Sequence, residues 1–92
     1  MVSLLVYATP LSTTDGQGYM AQAMGTQRAD RLWEGWIEFV TKSGATLRSP
    51  RETTQPNLTD LEYWATGLTP VYLEGALERA LAHSSHSKLR AA

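Results

Sequence analysis

Ninety-two residues, 42% of them hydrophobic and 18% charged, describe one globular domain with a modest core and exclude a chain that stays disordered. A formal net charge of −1 argues against a DNA-compacting or polybasic membrane-binding protein. The absence of cysteine excludes disulfides, thiolate zinc sites, iron–sulfur clusters and thiol nucleophiles, and no stretch approaches the roughly 18–20 apolar residues that span a bilayer.

The first apolar run, Val2 to Ala8, lacks a basic leader, is broken by Ser3 and meets Pro10. It reads as a strand rather than a signal sequence, and the expected setting is cytoplasmic. Residues 3–9 place Leu4, Val6 and Ala8 on one face and Leu5 and Tyr7 on the other. Apolar residues on both faces suit a strand covered on both sides, by a helix or by a second copy of the chain. Ser12 to Gly18 is turn chemistry centred on Asp15-Gly16. Tyr19 to Thr26 reads as a second strand, with Met20, Gln22 and Met24 opposing Tyr19, Ala21 and Ala23.

Leu32 to Val40 is the expected central strand. Side chains alternate along a strand, so Trp33, Gly35, Ile37 and Phe39 share a buried face. Leu32, Glu34, Trp36, Glu38 and Val40 share the other. Thr41-Lys42-Ser43-Gly44 turns the chain into a third pairing partner over Ala45 to Ser49, ended by Pro50, which has no amide to donate. Residues 51–56 read as an irregular polar crossover.

Helical signals follow. Thr59 and Glu62 have capping-box spacing, with Leu58 and Tyr63 placed as a hydrophobic staple, and this explains Thr59 without invoking glycosylation at Asn57-Leu58-Thr59. Leu61, Trp64, Ala65 and Leu68 follow the spacing of one helical face, and Gly67 stops the helix. Thr69-Pro70 restarts it, with a cap residue and a proline at the first helical position. Leu73, Leu77, Ala80 and Leu81 line the second helix to about His83, and residues 84–92 are expected to form a flexible tail. The expected fold is α+β, a single domain over residues 1–83. It is a three- to four-stranded antiparallel meander with two consecutive C-terminal helices packed on one face. A small SH3-like barrel with a helical appendage is the alternative.

Catalytic constellations are scarce. A serine or threonine nucleophile needs a base within hydrogen-bond reach, and the histidines, His83 and His86, sit at the C-terminus. Their spacing puts both rings on one side of a helix, but no carboxylate nearby completes a zinc set, so no metal site is expected. Glu34 and Glu38 lie about 13 Å apart along a strand. That exceeds the roughly 5–9.5 Å of paired glycosidase carboxylates. Phosphate-binding glycine motifs are absent. The expectation is a protein that is not an enzyme and carries no cofactor.

Two binding surfaces remain. Trp36 between Glu34 and Glu38 suits a protein-interface anchor, since tryptophan is enriched at binding hot spots. Together with Tyr7 and Leu5 it is the expected interface of a self-associating module, a homodimer or a complex with another protein. The alternative is single-stranded nucleic-acid binding by Arg28, Arg31, Lys42, Arg48 and Arg51, with a base stacked on Trp36. Asp30, Glu34 and Glu38 offset much of that charge. A smaller anion site at Arg48 and Arg51, with Thr53 and Thr54 as donors, is a third possibility.

Overall fold

The computed structural model describes residues 1–91, with side chains described as far as Ser84. Six strands precede two helices: β1 Val2–Val6, β2 Leu11–Ser12, β3 Gly18–Gln27, β4 Trp33–Val40, β5 Thr46–Arg48, β6 Thr53–Gln55, α1 Leu58–Thr66 and α2 Pro70–Ala91. All strand pairs are antiparallel. The chain is α+β, an antiparallel sheet followed by two C-terminal helices.

The sheet is four strands wide although six segments build it. β1 and β2 both pair with the outer edge of β3, and β5 and β6 both pair with the outer edge of β4. Each outer strand is broken by residues around a proline, Pro10 on one side and Pro50 on the other, because proline cannot donate to a ladder. The expected antiparallel α+β class holds, but the sheet has six strands rather than three or four: β2 and β6 lie in segments expected as a turn and an irregular crossover. The break at Pro50 is spliced by Ser49. Its amide donates to the Ile37 carbonyl at 2.9 Å and its hydroxyl accepts the Ile37 amide at 3.0 Å. Glu52 then resumes the ladder by donating to the Gly35 carbonyl at 2.8 Å.

Three hairpin loops share one construction. The amides of Thr13, Arg28 and Thr41 donate to the carbonyls of Gln17, Leu32 and Ala45, and the fourth residue of each loop has positive φ. Gly16 and Gly44 fill that position at φ 88° and 90°; Arg31 occupies it at 71°, where a side chain crowds the backbone.

The helices cover one face of the sheet. Ala21, Ala23, Ile37 and Phe39 pack beneath Ala65, Leu73, Ala76, Leu77 and Ala80. Helix α1 is seated by a hole rather than a ridge. Gly25 and Gly35 are cross-strand partners, and Leu61 fills the space their missing side chains leave. A Cβ on Gly35 would meet Leu61 at 2.8 Å, Trp64 at 2.9 Å and Thr53 at 3.0 Å.

The cap of α1 differs from the sequence expectation. Asn57 holds it, its side-chain oxygen accepting the Asp60 amide at 2.8 Å, so the helix begins two residues ahead of the Thr59 box. Leu58 and Tyr63 are both exposed and form no staple. The expected face is right: Leu61 and Ala65 are buried and Trp64 and Leu68 pack against the core. Thr69 caps α2 as expected, accepting the Tyr72 amide at 3.2 Å. The helix continues to Ala91, beyond the end expected at His83, and the side chains of residues 85–92 lie outside those described.

Candidate interaction face

Strand alternation sends Met20, Gln22, Met24 and Thr26 of β3 to the face the helices leave open, beside Glu34, Trp36, Glu38 and Val40 of β4. Arg48, the register partner of Glu38, joins them from β5. Trp36 sits at the centre and is only 2% exposed, with its cross-strand partner Met24 at 8%. Side chains of the same face close over the ring. The Arg48 guanidinium lies 3.8 Å from the ring centroid, a stacking distance at which the positive charge meets the negative π-face. The indole N–H points to Glu38 Oε2 at 3.4 Å, and Gln22 approaches Glu38 Oε1 at 3.4 Å, both long and weak contacts. Glu34 is approached by Arg28 at 3.7 Å, and Arg28 also pairs with Asp30 at 3.0 Å.

The five expected interface residues do not share this face. Trp36, Glu34 and Glu38 do, but Leu5 and Tyr7 pack against the helix-side core. The register irregularity between Ser3 and Leu5 turns Leu4 and Leu5 both toward the helices and leaves Val6 60% exposed on the open side. Tyr7 is a tether: its hydroxyl donates to the Ala65 carbonyl at 2.7 Å, and burial, with the charge of Tyr72 adding to it, pushes its pKa up to about 12.

The basic cluster is dispersed as well. Arg28 and Arg31 belong to the β3–β4 loop, Lys42 to the β4–β5 loop at the opposite end of the sheet, and Arg51 to the break between β5 and β6. Arg48 is engaged over Trp36 and Arg28 with two carboxylates. Thr53 and Thr54 cannot converge on one anion, being successive strand residues on opposite faces. Thr54 pairs with Glu34, while Thr53 packs near Gly35 and accepts a hydrogen bond from Gln55 at 2.8 Å.

One polar cluster escaped the sequence. Glu52, its side chain 5% exposed, accepts from the Tyr72 hydroxyl at 2.6 Å and from Arg79 at 2.6 and 3.1 Å. Burial opposes its ionisation, but the hydrogen bonds and charge of Arg79 and the bond from Tyr72 outweigh it and hold the carboxyl below its usual range. Burial, reinforced by Glu52, pushes Tyr72 up to about 12. Both carboxylate oxygens are occupied, so Glu52 acts as a strut tying the β5–β6 break to α2 rather than as a proton carrier. No local pattern announces it, because Glu52 and Arg79 meet only through the docking of α2.

Among the described residues no group of three or more histidines or carboxylates gathers at metal-binding distance, and no helix is long and apolar enough to cross a membrane. The His86 side chain lies outside the described residues. The architecture defines a two-layer α+β domain with one sheet face left uncovered by its own helices. No family model matches the chain, and no curated protein or solved structure matches it.

Proposed function

We propose that this chain is a non-enzymatic interaction module that self-associates, through a two-fold contact, by the sheet face centred on Trp36. The observation that carries the reading is a Trp36–Met24 pair at the middle of a face against which no described helix packs. That face mixes exposed apolar side chains, Met20 (41% exposed) and Val6, with balanced charge, Glu34 and Glu38 against Arg28 and Arg48. Balanced charge suits a second copy, since a two-fold contact can set Glu38 of each protomer opposite Arg48 of the other. The sheet edges are poorer docking sites: both outer strands are short and broken near a proline, a feature that discourages edge-to-edge pairing.

The nucleic-acid alternative has weaker support, since its five cations are spread over both ends of the sheet and two are already engaged. Sedimentation equilibrium over a wide concentration range tests the proposal. A dimer is expected for the wild type and a monomer for Val6→Glu combined with Met20→Glu, both exposed positions whose change leaves the core intact. A wild-type monomer at millimolar concentration would defeat the reading, as would a dimer indifferent to the double substitution.

A further inference from the structure

At the end of the sheet where the β2–β3 and β4–β5 loops project, the surface opens into a groove of about 440 Å³. This is within the size range of small-molecule sites. Pro10, Tyr19, Met20 and Val40 supply apolar lining, and Met20 and Val40 are cross-strand partners. Gly16 and Gly18 leave the groove open by having no side chain. A Cβ on Gly16 would meet nothing within 4 Å, and one on Gly18 only the Leu11 carbonyl at 3.9 Å. Among the described lining residues Lys42 carries the only charge, and none of the described ion pairs engages it. The carboxylate of the β2–β3 loop, Asp15, is turned into its own turn, hydrogen-bonded to the Thr13 hydroxyl and to the Gln17 amide at 3.2 Å.

The geometry points to a binding site for a small amphipathic carboxylate, its apolar body against Met20, Val40, Tyr19 and Pro10 and its anionic head on Lys42. An apolar groove with one cation selects this chemistry: the hydrocarbon is taken from water by the lining, and the ammonium pairs with the carboxylate. A cationic ligand would meet Lys42 with like charge, and a neutral one would gain nothing from it. The groove adjoins the proposed self-association face and shares Met20 and Val40 with it, while Gly16, Gly18 and Lys42 lie in the loops beyond it.

Octanoate is a suitable probe, with octan-1-ol and octylammonium as matched neutral and cationic controls, followed through backbone amide signals. Octanoate should shift Gly16, Gly18, Thr41 and Lys42 selectively. Lys42→Gln should weaken it about tenfold, the scale of one charge-assisted contact. Gly18→Leu fills the groove at a position outside the left-handed region, so it should abolish the shifts while the remaining signals report an intact fold. If that variant unfolds, Lys42→Gln carries the test alone. No shift at millimolar octanoate would overturn the assignment, and so would equal binding of octan-1-ol. Loop shifts that grow with protein concentration alone would give the groove to a second copy and overturn it too.

Discussion

The two faces of the sheet bury their central residues by different means. On the helix face, Ile37 and Phe39 are covered by other secondary-structure elements, and Leu61 locks α1 into the Gly25–Gly35 hole. On the open face, Trp36 reaches comparable burial under side chains of its own sheet, chiefly Arg48. The first arrangement depends on close packing between layers, and added volume at Gly35 must displace the Leu61, Trp64 and Thr53 side chains already packed there. The second depends on one long arginine side chain stacked on the ring. Interlayer packing covers one face, and a snorkelling surface side chain covers the other.

Gly35→Val should strain this contrast most. Its Cβ would be crowded from three sides by Leu61, Trp64 and Thr53, so no single rotamer change relieves it. A loss of about 3 kcal/mol is expected in urea denaturation. A near-neutral result would show that α1 is not seated by the glycine pair.

The Glu52 strut holds the helix layer at the rim. Glu52→Gln should cost about 2 kcal/mol at neutral pH, a lower figure than for a fully buried pair because Arg79 is partly solvated. Since folding lowers the Glu52 pKa, its contribution is present above the ordinary carboxylate value of 4.5 and is lost as pH falls through the folded value. The gap between wild type and variant should therefore shrink on acidification. At the other extreme, Tyr7 and Tyr72 are raised from 10.0 to about 12, so their contributions are intact below pH 10 and fade as pH rises toward 12. Thermal unfolding across both ranges reads these slopes, and Tyr7→Phe should flatten part of the alkaline one.

Arg48→Ala addresses the open face directly. A loss of about 1 kcal/mol is expected from the cation–π contact. The more telling readout is acrylamide quenching, which should rise as Trp36 becomes accessible while the helix layer stays intact. Unchanged quenching would mean that Arg48 is not what shields the ring. Arg31→Gly should have the smallest effect and the opposite sign, a gain of about 0.5–1 kcal/mol by relieving a side chain at positive φ. Because Arg31 belongs to neither layer, this variant gives a reference for changes that leave both faces alone.

Much of the fold was legible because it rests on short-range patterns. Alternation in β3 and β4, the positive-φ glycines of two loops, the Thr69 cap and the helical face of Leu61, Trp64 and Ala65 all follow from residues within a few positions of one another. The α1 cap was misread because Asn57 and Thr59 both offer cap side chains two residues apart, and only the path from β6 selects between them. Leu5 and Tyr7 share a face as alternation requires, but pairing Leu5 with Ala23 puts that face under the helices rather than beside Trp36, a choice no local pattern makes. β6 was missed because three polar residues become a strand only when Gly35 and Glu34 lie beside them.

The sequence by itself determined the class, the order of the longer elements and which residues of β3 and β4 share a face, since a strand's side-chain period is a property of the backbone. Tertiary structure decided what those faces became. Whether Trp36 is an exposed anchor or a covered centre depends on Arg48, which reaches it only through the β4–β5 register. Whether five cations form a cluster depends on which end of the sheet each loop occupies. The pairing of Glu52 with Tyr72 and Arg79 depends on where α2 docks. These are contacts between residues distant in sequence, and no local preference encodes their distance in space.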